Sequence, residues 1–225
     1  MMKIGIVIAI ARELQAFLES EYTVEALSVR GREAYRTEIA GNEVYAVKSG
    51  CGQIDAASAT QLLISEFDCE VILNFGVTGA LREELAVADL FVATGAVNYD
   101  YDVSPIDPVA KNQYEEFADT KIPFDEGLIA LAKQIRPDLR EAVVASGEKF
   151  VELQEAKIAL RELGCDICDM EAAAIARTAF LNGVRALSIK CISDTFDGDG
   201  SDFVANVTAS AAKAFALLRE ILHRI

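Results

Sequence analysis

A chain of 225 residues with 52% hydrophobic side chains can bury one sizeable core, yet its apolar runs are broken by charges or glycines well short of a membrane span. Its 36 acidic and 21 basic residues leave a net charge of −15, a field that repels polyanions and argues against a grip on nucleic acid. Five cysteines, odd in number and mostly in apolar context, read as reduced thiols of a cytoplasm, and the lone His223 beside the C-terminus makes a Ser–His or Cys–His device improbable.

The first run, KIGIVIAI, reads as a buried strand and not a signal peptide, because Arg12 and Glu13 follow it and no small-residue cleavage site appears. A helical pattern starts near Arg12. YRTEIAGNEVYAVKSG reads as an antiparallel hairpin turning at Gly41-Asn42, with SGCGQIDAA leading from its second strand into a helix near Gln53. EVILNFG and DLFVATGAV are the next strands, the former leading into VTGAL. DPVAKNQYEEFADTKIPF is the one long irregular connection. A helix from Asp125, the strand EAVVAS, and a helix from Glu152 follow. CDMEAAAIARTAF then places Asp169 as a helix cap before a helix from Ala172, and RALSIKCIS leads through DTFDGDGSD into a last helix near Asp202.

The strands are nearly continuous apolar runs, as expected where both sheet faces are covered. Together with the alternating helices they predict a three-layer α/β/α fold around a central mixed sheet, with residues 1–225 as a single domain. Ligands in such sheets collect at the C-terminal strand ends. Those ends carry ARELQ, SGCGQ, VTGAL, GEKFVE and the residues from Asp194 onward, so carboxylates, glycine turns and one aromatic converge on one rim.

Familiar motifs fail on inspection. SGCGQID puts Asp55 where a dinucleotide fingerprint needs its third glycine, and no acid ends the next strand, so it reads as a tight turn exposing backbone N–H groups. DGDGSD has Asp202 where a calcium loop needs glycine and Thr208 where it needs glutamate. Asp197 and Asp199 read as a solvated acidic turn. Cys165 and Cys168 form a CxxC with no second pair, which argues against a metal site. What stays is three acids. Asp194 directly follows an apolar strand, where burial would raise its pKa and let it hold a proton near neutrality. Glu13 and Glu171 are each open to reading as first-turn helix charges. With no usable histidine, carboxylates would have to carry any proton transfer.

KIGIVIAIARELQAF, KSGCGQIDAA, NFGVTGAL, YDYDVS, SGEKFV, DMEAAAIA and CISDTFD, in that order, resemble the nucleoside phosphorylase superfamily, and within it the 5′-methylthioadenosine/S-adenosylhomocysteine nucleosidases. MEAAAIA together with ISD carries the specificity; the glycine turns alone would not. The resemblance implies hydrolysis of a purine N-glycosidic bond without metal or organic cofactor. It implies Glu13 as the carboxylate that activates water and Asp194 as the acid that protonates purine N7. Glu171 would bind ribose hydroxyls, with Met170 on the sugar. Phe150 would stack on the base, Val151 would meet its edge through the backbone, and Phe203 would form an apolar wall. YDYDVSP falls where such proteins build a dimer interface, which implies a homodimer.

Two positions depart from the family pattern. Val77 stands where a serine is usual, and Lys190, where an arginine is usual, keeps the charge but loses the bidentate fork. Both belong to the substrate-binding set that the resemblance implies. A phosphate-dependent purine nucleoside phosphorylase is the nearest rival, but it needs cationic donors, and Asn74 and Val77 stand where phosphate-using relatives carry an arginine and a hydroxyl. The other rival is a nucleoside-binding protein without turnover, since fold alone does not guarantee activity.

Overall fold

The computed structural model describes residues 1–225. β1 (Lys3–Ile8) runs into α1 (Ala11–Leu18), and a meander follows of β2 (Glu25–Val29), β3 (Arg32–Ile39) and β4 (Asn42–Lys48). The hairpin register pairs Ile39 with Asn42, which puts the two-residue turn at Ala40-Gly41 and not at Gly41-Asn42. Both turn residues have positive φ, 52° and 81°, the geometry that matches the twist of paired strands. α2 (Gln53–Phe67) then leads to β5 (Val71–Ala80), and β6 (Leu90–Asn98) ends at the long segment 99–121, which contains no helix or strand. β7 (Ile122–Pro123), α3 (Glu126–Ile135), β8 (Arg140–Ser146), α4 (Gln154–Glu162), β9 (Ile167–Asp169), α5 (Ala172–Leu181), β10 (Arg185–Asp194) and α6 (Gly200–Leu222) complete the chain. No helix is long and apolar enough to cross a membrane.

The strands form one mixed sheet, but it is not simply open. β5 pairs in parallel with β1 and β10; β10 pairs with β6, β6 with β8, and β8 with the three-residue β9. β9 then returns antiparallel to β5 through Gly79–Cys168 and Ala80–Ile167. Five strands thus close a ring, and β1, β4, β3 and β2 fan out from β5. The sequence suggests that the β5 strand ends at Gly76. It runs on to Ala80 because β10 on one side and β9 on the other offer ladders to its backbone. β7 and β9 escape the apolar pattern because they are only two and three residues long, and β2 because it is a half-exposed edge strand.

Helices cover both faces. α2 and α5 pack on one through small side chains, including Ala56, Ala59, Ala172, Ala173 and Ala176, and through Leu63. α1, α3 and α6 pack on the other, where Phe215 meets Phe17 and Phe75 with ring centroids 5.8 and 5.0 Å apart. α4 closes one end of the ring through Leu160, against Val151, Cys165 and Cys168.

The alanines of α5 set its distance from the sheet, since interiors pack at crystal-like density. Ala176→Leu is therefore expected to cost about 1–3 kcal/mol by overpacking. An unchanged denaturation midpoint would show that the α5–sheet contact is looser than described.

Candidate active site

A cleft of about 730 Å³ opens where β1, β5, β8, β9 and β10 end together. Its walls bring together Glu13, Val77, Phe150, Met170, Glu171, Asp194 and Phe203. Val151 lines a small recess beside Phe150. Of the residues expected at a ligand, only Lys190 lies outside both linings.

Glu13 is buried in the first turn of α1. Its Oε2 accepts the N–H groups of Ala9 and Ile10, both at 3.2 Å, satisfying donors that the helix start leaves free. Its Oε1 accepts the N–H of Val77 at 2.9 Å. Burial raises its pKa, against the pull of Lys190 and these backbone donors. The carboxylate can lie flat against β5 only because residue 76 is glycine: a Cβ there would collide with Glu13 Oε1.

Asp194 ends β10 and is almost fully buried. Ser193 Oγ donates to its Oδ1 at 2.8 Å. Burial raises its pKa, and the Ser193 hydrogen bond and the charge of Lys157 pull the other way. Gly79 makes the room, since a Cβ there would come within 2.8 Å of Asp194 Oδ2 and 3.1 Å of Cys168 Sγ.

Glu171 lies one residue before α5, at the cap position and not within the first turn. Asp169 does the capping by accepting the N–H groups of Glu171 and Ala172, at 3.3 and 3.1 Å. Glu171 Oε1 is thereby free to accept Gly52 N–H at 2.9 Å, across the cleft floor at the start of α2. Burial, and then the charge of Asp169, pushes Glu171 above the ordinary carboxylate range, while Lys190 pulls it down.

Lys190, expected to touch a ligand, points instead behind the wall. It is 2% exposed and its Nζ sits 2.8 Å from Asp169 Oδ2. Burial disfavours its charge, but Asp169, Glu171 and Glu13 more than offset that, so its pKa is raised. The reason is positional: Lys190 lies mid-strand in β10, four residues short of the rim where Asp194 stands. Ser146 Oγ also donates to Asp169, at 2.5 Å.

Phe150 and Phe203 form the apolar end, in edge contact with centroids 5.6 Å apart. Phe150 is 45% exposed. Glu148, which no sequence motif singles out, accepts Gln53 N–H at 2.9 Å and Ile54 N–H at 3.2 Å and so occupies the start of α2. Asp169, expected only as a cap, also pairs with Lys190, and Cys51 and Cys168 join the wall. For Glu148 and Cys51 the sequence signal is membership of the rim segments GEKFVE and SGCGQ; for Cys168 and Asp169 it is the CxxC and the helix cap. No group of three or more His, Cys, Asp or Glu side chains is placed to hold a metal ion.

A profile of the phosphorylase superfamily matches residues 3–223. A 5′-methylthioadenosine/S-adenosylhomocysteine nucleosidase of Treponema pallidum is 34% identical over 220 residues, covering 85% of this chain and 82% of the relative. An aminodeoxyfutalosine nucleosidase of Campylobacter jejuni is 28% identical, covering 92% and 93%. The crystal structure of a Helicobacter pylori 5′-methylthioadenosine/S-adenosylhomocysteine nucleosidase, complexed with a substituted pyrrolidin-3-ol, superposes with a TM-score of 0.93 at 29% identity, covering 100% of this chain and 99% of that one.

Removing the Lys190 charge leaves three buried carboxylates without it. Lys190→Met is expected to cost about 3–5 kcal/mol at neutral pH. Glu13 and Glu171 already hold protons to higher pH folded than unfolded, and loss of Lys190, which lowers both, raises them further, so the variant's deficit shrinks as the pH falls toward 5. Urea midpoints across pH 5–8 that show a constant deficit would contradict this account.

Proposed function

The chain belongs to the phosphorylase superfamily, and on that footing we propose that it is an N-glycosyl hydrolase of purine nucleosides, acting on 5′-methylthioadenosine and S-adenosylhomocysteine. One observation carries the reading: Glu13, Glu171 and Asp194, from three separate strand ends, are buried together on one cleft that has an aromatic end. Cleavage of the bond between the anomeric carbon and the base develops positive charge on the sugar and negative charge on the base. Carboxylates at the first and a protonated acid at the second stabilise both.

In this mechanism the purine lies between Phe150 and Phe203, with the Val151 backbone at its edge and Met170 against the sugar. Burial raises the pKa of Asp194, and in its protonated form it gives that proton to N7 as the bonding pair passes into the base. Glu13, fixed by three backbone N–H groups, orients a water and accepts its proton as the water oxygen bonds to the anomeric carbon. The products are free base and ribose sugar. Glu171 accepts hydrogen bonds from the ribose hydroxyls. Val77 contributes its main-chain N–H to Glu13 and no hydroxyl of its own.

Water is favoured over phosphate as the nucleophile because the donors a phosphate would use are taken. Gly52, Gln53 and Ile54 N–H groups are spent on Glu171 and Glu148. Lys190 is spent on Asp169. The cations on the cleft wall are Arg12 and Lys149. We further propose a cytoplasmic homodimer that serves methionine salvage, folded as a single domain over 1–225. Five unpaired thiols fit a reducing compartment, and the aromatic 99–121 segment beside the cleft fits a subunit contact.

Asp194→Asn is expected to lower turnover by at least about 10²-fold while calorimetry finds ligand affinity within a few-fold of the parent. Unchanged turnover would remove Asp194 from the acid role. Base release from a nucleoside panel is expected in phosphate-free buffer, without ribose 1-phosphate when phosphate is added. Activity that requires phosphate would make the enzyme a phosphorylase.

A further inference from the structure

Lys157 is completely buried, yet no carboxylate pairs with it. Its ammonium on α4 donates to three main-chain carbonyls, those of Thr195 at 2.8 Å, Phe196 at 3.0 Å and Gly198 at 3.1 Å. Those three donors are its full complement. The acceptors belong to one turn, which begins immediately after Asp194 and leads into α6 with Phe203. A buried charge without a counter-ion is costly, and an apolar residue of similar volume is often the more stable choice. What an apolar residue cannot do is satisfy three converging carbonyls.

The segment that enters this helix carries the other half of the cleft's apolar end. Phe150 and Val151 lie on the segment that enters α4, so Lys157 ties the root of the Phe150 segment to the root of the Asp194 turn. Neighbouring contacts reinforce that tie. Gln154 Nε2 donates to Asp197 Oδ1 at 2.6 Å, and Gly200 N–H donates to Glu152 Oε1 at 3.1 Å. Apolar Phe196 is buried in the turn, with the Arg161 guanidinium 5.7 Å from its ring centroid.

We propose that Lys157 is a positioning residue for Asp194: it fixes the turn that aims this carboxyl at the base and supplies the one buried positive charge behind it. The inference rests on the acid role proposed above. The groups that face Asp194 are Lys157 from α4, Asp202 from α6, Cys168 and Asp169 from β9, and Lys149 across the recess. Among those with a resolved effect on Asp194, Lys157 favours the ionised carboxylate and Asp202 the protonated form. Lys157 thus limits how far burial can raise the acid, which keeps it willing to give up its proton.

The test compares the full chain with Lys157→Met, which removes charge and donors, and Lys157→Gln, which removes the charge but keeps two amide donors. A general acid must be protonated to act, so rates fall as the pH rises through its pKa. Without the Lys157 charge that alkaline limb is expected to move upward by about one pH unit in both variants. Turnover is expected to fall at least tenfold in Lys157→Met, with less than a threefold change in KM, and to fall less in Lys157→Gln. If Lys157→Met fails to fold, Lys157→Gln reads the same limb. Carbon-13 titration of the Asp194 carboxyl, assigned by its loss in Asp194→Asn, measures the shift without turnover. A limb and a titration that stay in place in a folded variant, with only the melting temperature lowered, would overturn the inference. If the parent released no purine from any nucleoside, the proposed function would fail, and the carboxyl titration would still decide Lys157.

Discussion

A single buried ammonium holds the floor of the cleft in place. Lys190 neutralises Asp169 directly and lowers the cost of keeping Glu13 and Glu171 ionised in the interior. Without that charge, three carboxylates from α1, β9 and the start of α5 would repel one another in a medium that screens them poorly. Asp169 passes the constraint on. By taking the Lys190 charge on one oxygen, and the capping and Ser146 contacts alongside, it fixes the start of α5 and so the direction of Glu171.

The second constraint is close approach of side chain to backbone. Gly76 and Gly79 lie in the part of β5 where side chains would fill the space that Glu13 and Asp194 occupy. Both acids therefore lie against bare strand, where main-chain N–H groups or a neighbouring hydroxyl can hold them. The ladder from β10, joined at Gly79 and Ala80 by the one from β9, makes this possible, because together they carry β5 on to Ala80. The fold creates two similar acid niches on one strand and tunes them differently. Glu13 has three backbone donors and a nearby cation; Asp194 has one hydroxyl and the Lys157 charge.

The proposed chemistry asks for such a difference. A base that orients water works ionised, and an acid that protonates a leaving purine works protonated, so one cleft must hold carboxyls in opposite states. The helix termini contribute too. Glu148 and Glu171 occupy the N–H groups at the start of α2, which leaves that positive end closed to a free anion.

Layered α/β architecture, the positions of the six helices and the three rim acids all followed from local pattern. Apolar runs, charge breaks and glycine turns act over a few residues, and an acid at a strand end keeps its place whatever the register. The recognisable segments also placed Phe150, Met170 and Phe203 at the cleft. The return of β9 to β5, the extension of β5 to Ala80 and the withdrawal of Lys190 behind the wall are decided by pairing between segments far apart in the chain. So are the partners of Asp169 and Lys157, since a buried ion's neighbours come from whichever strands and turns the sheet brings beside it. Sequence alone determined which groups could do chemistry; the tertiary structure decided which of them face the cleft and which hold the others there, because burial and charge pairing act through space.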